Sequence, residues 1–419
     1  MNIHELMRDQ ACCLVLGGGG AKGVYHIGVW RALKELGIKV DAFVGASIGA
    51  IIAGFLAQGA DDALEKLGKT IELESILALP QDLVEDGEVK LDLDSLSKAR
   101  EFFHHVMSKK GLDTDPLRRN LMENLDEDAI RKSGKDLGIV TVNISDLQPR
   151  EVFLEDMEDG HLVDYLMASA AFPGFESPSI EGKHYVDGGF YDNVPYAMAR
   201  KRGYRRVIVS DISGLGRNRR PQTDGCVTAY IKNSIDMGGV LSFDHAFREA
   251  FLLLGWLDTM RVFGRLVGYS YFLEPDAEAE ASCSAAECVD AAILPDRMRW
   301  DRRKLLVHLE CAASILDVER VKAWTYAGLA DEISRKRAAE EEHIQKLLGG
   351  AKGGMRGQVS TLRKAIADRS FDHSPYYYAR LIASAVPKTA GAILGKALVG
   401  LYPELPAGMA WLDHAAIKH

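Results

Sequence analysis

Cysteine is scarce, six in 419 residues, and its placement excludes more than it suggests. Cys12 and Cys13 are adjacent, Cys226, Cys283, Cys288 and Cys311 are scattered, and no C-x-x-C pair occurs. Neither a disulfide scaffold nor a zinc framework is indicated, and reduced cysteines in a cytosol are the simpler account. No secretory signal is visible either, and none is expected: Met1 to Gln10 mixes His4, Glu5, Arg8 and Asp9, and the first apolar run reads as a core strand. The expected location is cytoplasmic or at a membrane periphery, with a specialised secretion route still open because such routes need no N-terminal signal. Spanning segments are missing too. The apolar stretch Phe247 to Leu266 is broken by Arg248, Glu249, Asp258, Arg261 and Arg265, and Pro387 and Lys388 interrupt the C-terminal one. A net charge of −9 gives no basic excess for nucleic acid, and no acidic loop of the EF-hand type is present. What remains is a chain 47% hydrophobic, apolar enough for a full core and long enough for two or three structural units.

Its most informative segment is Gly45-Ala46-Ser47-Ile48-Gly49, where an apolar strand (Asp41 to Val44) meets an apolar helix (Ile48 to Ala57). G-x-S-x-G in that setting is a nucleophile-elbow pattern: the sharp turn crowds the backbone, the flanks must lack bulk, and the hydroxyl is left exposed at a helix N-terminus. An N-cap serine in an ordinary strand-to-helix turn would read the same way in isolation.

Upstream, the strand Cys12 to Leu16 leads into Gly17-Gly18-Gly19-Gly20-Ala21-Lys22-Gly23 and an amphipathic helix from Val24 to Leu36. Gly18, Gly20 and Gly23 spell G-x-G-x-x-G, so a dinucleotide site with Asp41 on the ribose is one reading. The serine elbow after the next strand favours another. Consecutive glycine amides can converge on an oxyanion, the donor arrangement that acyl transfer needs. Walker A is excluded, because Lys22 is followed by Gly23 rather than Ser or Thr.

A serine nucleophile needs a base. His245, His308, His343, His373, His414 and His419 lie downstream, but none sits in a short strand-end loop with glycine or aspartate flanks. Asp187 is the better candidate: the strand Lys183 to Val186 ends in Asp187-Gly188-Gly189, although Asp-Gly-Gly is also a common hairpin turn. His184 lies three residues earlier, on the opposite face of that strand, and is a weak triad member.

In order, these blocks resemble the patatin-like phospholipase family: a G-G-G-x-[RK]-G loop, then G-x-S-x-G, then D-G-[GA]. Ala168-Ser169-Ala170-Ala171-Phe172-Pro173 is similar to the family's A-S-x-A-x-P helix end, and Asn193-x-Pro195 follows Asp187 as it does there. The resemblance covers about Cys12 to Ser213. Gly17 departs from the Ser or Asp common at its position, and Lys22 from the Arg of plant members. What the resemblance implies is a Ser47–Asp187 dyad without histidine, with Gly18, Gly19 and Gly20 as the oxyanion loop. There the Gly19 and Gly20 amides are the donors and Gly18 shapes the turn. Lys22, Gly23, Gly45, Gly49, Gly188 and Gly189 would support these motifs, with neither metal nor organic cofactor. A rival base is Asp211, at the end of the strand Arg206 to Ser210.

The expected fold is a three-layer α/β/α core with a mostly parallel sheet over residues 1–215, followed by a helical region over 216–419. A mostly helical insertion at about 61–134, including a helix Ser95 to Lys109, would cover the mouth of the site. Asp317 to Leu348 reads as one long charged helix. From Gly349 to Leu401 there are eight Lys or Arg (Lys352, Arg356, Arg363, Lys364, Arg369, Arg380, Lys388, Lys396) against Asp368 and Asp372. Tyr376-Tyr377-Tyr378 and the run Leu381 to Leu401 lie beside them, a composition suited to an anionic bilayer surface or to a packed helical bundle. The function expected is a lipid acyl hydrolase of phospholipase A or lysophospholipase type acting on a phospholipid or other acyl lipid. A less selective carboxylester or acylglycerol hydrolase, and a lipid- or nucleotide-binding module with a dead site, are the alternatives.

Overall fold

Short apolar runs that stop at glycine or serine turns form strands buried on both faces, with helices from the intervening segments as cover. In the computed structural model, residues 3, 7, 11–70, 84–85, 88–89, 112–236, 238, 245–279, 304–349, 372–386 and 388–417 are described. The expected helix Ser95 to Lys109, two of the cysteines (Cys283, Cys288) and five of the tail's bases (Lys352, Arg356, Arg363, Lys364, Arg369) lie outside them. Strands β1 (Cys12–Leu16) and β2 (Ala42–Ala46) pair in parallel through the crossover helix Val24–Glu35. Strands β3 (Val84–Glu85) and β4 (Glu88–Val89) form a separate hairpin. Strand β5 (Asp136–Asn143) lies parallel to β2 and antiparallel to both β6 (Gln148–Phe153) and β8 (Lys183–Asp187), and β8 pairs β7 (Ser179–Ile180). On the other flank β9 (Arg206–Asp211) runs parallel to β1, and β10 (Val227–Lys232) parallel to β9. The order is β10-β9-β1-β2-β5-β8-β7, with β6 attached to β5.

Side-chain alternation sends Cys13, Val15, Val44, Ala46, Val207 and Val209 to one face, where Tyr196, Met198 and Ala199 of the helix Tyr196–Lys201 cover them. The opposite face meets Val24–Glu35, whose Trp30 packs edge-on against Phe43 at 5.7 Å between ring centroids. Helix Ile48–Gln58 starts directly from β2. The expected three-layer core with a mostly parallel sheet is the fold found.

The domain boundary differs from the one expected near residue 216. Strand β10 extends the sheet beyond that point, and helix His245–Val262 packs on Val24–Glu35, where Gly28 and Gly255 allow the two backbones to touch. The first compact unit therefore runs from Met1 to Gly264 and the second from Arg265 to His419.

The second unit contains β11 (Phe272–Leu273) paired with β12 (Ala323–Trp324), and helices Lys304–Ile315, Tyr326–Gly349, Pro375–Ala385, Lys388–Leu401 and Leu405–Ile417. The long charged helix begins at Tyr326 rather than Asp317. Asp317 takes a left-handed φ of 50° just after the preceding helix, and β12 intervenes. The tail differs as well. Tyr376, Tyr377, Tyr378, Leu381, Ile382, Leu394 and Leu398 are buried in this unit's own core, and the Tyr376 hydroxyl donates to Glu341 at 2.6 Å. Those apolar residues of the tail serve internal packing, whereas Ile393 and Val399 of the same run are exposed. No helix among the described residues is long and apolar enough to cross a membrane.

Candidate active site

Where β2 turns into helix Ile48–Gln58, Ser47 holds φ 55° and ψ −130°, a conformation that costs a non-glycine residue about 1–3 kcal/mol. The turn closes because Gly45 and Gly49 have no side chains: a Cβ on Gly45 would lie 2.4 Å from the Gly49 carbonyl carbon, and one on Gly49 2.3 Å from the Leu16 oxygen. The Ser47 N–H donates to the Ser169 hydroxyl at 2.9 Å, and that hydroxyl donates to the Val140 carbonyl at 2.6 Å.

Asp187 reaches the same place from the opposite strand direction. Ala46 lies opposite Val140 in the parallel β2–β5 pair and Thr141 opposite Asp187 in the antiparallel β5–β8 pair, so Asp187 ends level with the serine. The Ser47 Oγ donates to Asp187 Oδ2 at 2.6 Å, while Oδ1 accepts the Gly189 N–H at 2.7 Å. Asp187 is only 5% exposed. Burial pushes its carboxyl pKa up to about 6, against the opposing pull of those two hydrogen bonds. Gly188 passes close to Val140, with room for no side chain.

The glycine loop packs over both residues. A Cβ on Gly18 would lie 3.0 Å from the Ser47 Cβ and 2.5 Å from Asn193 Oδ1. Gly18 does not offer its amide to a ligand, since its N–H donates to the Asn193 carbonyl at 3.1 Å. Gly19 and Gly20 follow at φ 164° and +59°, with Gly23 packed on Ile48. Two buried side chains tie the loop down. His26 Nε2 donates to the Gly17 carbonyl at 2.9 Å and its Nδ1 accepts from Ser210 Oγ at 2.7 Å, which sets the neutral tautomer. Burial lowers the His26 pKa to about 4. Lys22 Nζ donates to the Ser213 carbonyl at 3.3 Å, and its ammonium pKa is pulled down by burial.

Residues 14–200 match the family model for patatin-like phospholipase. The domain belongs to the patatin-like phospholipase family. Among curated proteins, this chain is 30% identical over 214 residues to lysophospholipase NTE1 of Cryptococcus neoformans, 51% of this chain and 12% of that protein. It is 31% identical over 217 residues to the patatin-like phospholipase domain-containing protein ZK370.4 of Caenorhabditis elegans, 51% and 14% of the two chains. Human patatin-like phospholipase domain-containing protein 6 is 27% identical over 214 residues, 50% and 14%. The chain therefore spans well under a fifth of these relatives. Of solved structures, VipD from Legionella pneumophila aligns over 96% of this chain and 88% of its own at a TM-score of 0.38 and 13% identity.

Within the patatin-like domain, Ser47, Asp187, Gly189 and the glycine loop come together, and several other candidates do not. Asp41 accepts the Cys12 N–H at 3.1 Å at the amino end of β2, away from the loop that follows β1, so it staples two strands and cannot serve a ribose there. Asp211 accepts from the Tyr230 hydroxyl at 2.7 Å and the Ser213 N–H at 2.9 Å, a turn-holding role. His184 is exposed, on the face opposite Asp187. His308, His343 and His373 belong to the second unit. Sequence reasoning gave no role to Ser169, Asn193 or His26. The first two stood in motifs already noted, and a histidine on the apolar face of the helix after the glycine loop was the available signal for the third.

Proposed function

We propose that this chain hydrolyses the carboxylic ester bond of a phospholipid or lysophospholipid, with Ser47 as nucleophile and Asp187 as its base. The observation that carries the reading is the 2.6 Å hydrogen bond from a strained, half-exposed serine to a buried carboxylate with a pKa near 6. An ordinary carboxylate, pKa about 3.9, is a weak base at neutral pH, and the raised value brings Asp187 closer to the working range. As Ser47 Oγ attacks the acyl carbon, its proton passes to Asp187 Oδ2. The oxyanion receives the Gly19 and Gly20 amides, and each such donor is worth about two to three orders of magnitude in rate. The N-terminus of helix Ile48–Gln58 favours the same negative charge. Collapse expels the lipid alcohol with the proton from Asp187, leaving an acyl-Ser47 ester. Water, deprotonated by Asp187, attacks that ester, and the proton returns to Ser47 as the fatty acid leaves. The lysophospholipase name of the Cryptococcus relative supports the substrate class.

The test is fatty-acid release, by mass spectrometry, from lysophosphatidylcholine, phosphatidylcholine, triacylglycerol and a p-nitrophenyl ester, with wild type beside Ser47→Ala. Release from the phospholipids by wild type alone is expected. Equal release by Ser47→Ala rejects the nucleophile, preference for triacylglycerol rejects the substrate class, and inertness of wild type on all four leaves a binding module.

A further inference from the structure

We infer that the rim of the Ser47 site is a docking surface for an anionic phospholipid bilayer, built from the exposed side chains of Phe190, Leu215, Arg217 and Arg220. The inference rests on the lipid-hydrolase reading and names the surface through which substrate would arrive.

The segment Ser213 to Arg217 straps together the two halves of the site. At one end Gly214 abuts the glycine loop so closely that a Cβ on it would lie 1.9 Å from the Gly18 oxygen. At the other, the Arg217 N–H donates to the Gly189 carbonyl at 2.8 Å and the Arg217 carbonyl accepts the Asn193 N–H at 2.9 Å. Gly216 is similarly pressed on Gly189, where a Cβ would lie 2.7 Å from its oxygen. Leu215 is therefore held over the seam between the loop that faces Ser47 and the turn that carries Asp187. It is 67% exposed, and Phe190, three residues after Asp187, is 52% exposed. A single exposed leucine needs no explanation. Two large apolar side chains from separate segments at the rim of one site are a different matter, because each keeps apolar area in water that a bilayer would cover.

Charge selects the kind of bilayer. Arg217, Arg219 and Arg220 follow Leu215, with no acidic residue between Ile212 and Thr223. Arg219 is fixed over the Tyr191 ring at 4.6 Å, and the other two arginines are exposed. In a protein of net charge −9, an anionic surface repels most faces and attracts a local cluster of this sign, which orients the rim toward lipid. Apolar tips beside arginines match the boundary between acyl chains and headgroups, the depth at which the ester bonds lie.

The experiment is co-sedimentation of full-length Ser47→Ala protein with phosphatidylcholine–phosphatidylserine vesicles, so that binding is read without turnover and stands whether or not the chain proves to be a hydrolase. Ser47→Ala is expected to sediment, less well at high salt and less well with pure phosphatidylcholine. Adding Arg217→Gln and Arg220→Gln should weaken binding about fivefold per arginine, and adding Phe190→Ser and Leu215→Ser at least about tenfold. Absence of binding by the parent, equal binding to neutral vesicles, or unchanged binding in both double variants overturns the inference. If the apolar pair loses binding together with melting temperature, the arginine pair, whose side chains are exposed, decides alone: full retention of binding rejects the surface.

Discussion

The backbone N–H of Ser47 donates to the hydroxyl of Ser169, 122 positions away in sequence, at 2.9 Å. That hydroxyl in turn donates to Val140, so Ser169 ties the strained elbow to the middle of β5. Replacing Ser169 with Ala leaves a part-buried amide unpaired, at a cost of about 1–3 kcal/mol. The expected result is a melting temperature lowered by several degrees and a fall in kcat that exceeds any rise in KM, because the elbow loses alignment while the lipid contacts stay. Unchanged kcat with a rise in KM would contradict it.

If Asp187 takes the serine proton as proposed, it must be ionised to do so, and activity should rise with pH through about 6 and be lost below it. A pH–rate profile of kcat/KM on a short soluble ester reads this directly. An acid limb near 4 would mean that burial does not perturb the base.

The same shift predicts a stability gain from an inactive variant. A carboxyl whose folded pKa is raised contributes stability below its unfolded value, near 3.8, and loses it as pH rises through about 6. At pH 7.5 the buried carboxylate then costs about 3 kcal/mol. Asp187→Asn should lose esterase activity by at least about three orders of magnitude while melting higher than wild type at pH 7.5, and that margin should shrink toward pH 4. Thermal scans across pH settle the matter, and a lower melting temperature at pH 7.5 would contradict the assigned environment.

His26 carries the opposite sign. Its folded pKa, about 4, lies below the usual imidazole value of 6.5, so its contribution is present above 6.5 and lost as pH falls through 4. In denaturant titrations, the stability advantage of wild type over His26→Gln should narrow by about 1–3 kcal/mol between pH 7.5 and pH 4.5. A constant gap would show that His26 is not held neutral against the Gly17 carbonyl.

Asp211→Asn separates the two strand-end acids. Asp211 braces Tyr230 and the Ser213 turn, so its loss should lower the melting temperature yet keep turnover at low temperature within about tenfold of wild type. Turnover as poor as that of Asp187→Asn would return Asp211 to the role of base.

Short-range features were legible along the chain. Glycine flanks around Ser47, a glycine run after β1 and an acid before two glycines are demands of backbone geometry, and a tight turn admits few residues wherever it occurs. Strand and helix limits near them followed from apolar runs and their punctuation, and β8 falls at Lys183–Asp187, where that pattern put it. Long-range features were not legible. Nothing local to Asp187 states that β8 pairs antiparallel with β5 in the register that sets it level with Ser47, or that burial raises its pKa. Membership of β10 in the sheet moved the domain boundary to Gly264, and Tyr376, Tyr377, Tyr378, Leu381, Leu394 and Leu398 proved to be core while Ile393 is exposed. Composition tells that such side chains leave water. Only the packing decides whether protein or lipid receives them, because the hydrophobic effect has no direction of its own.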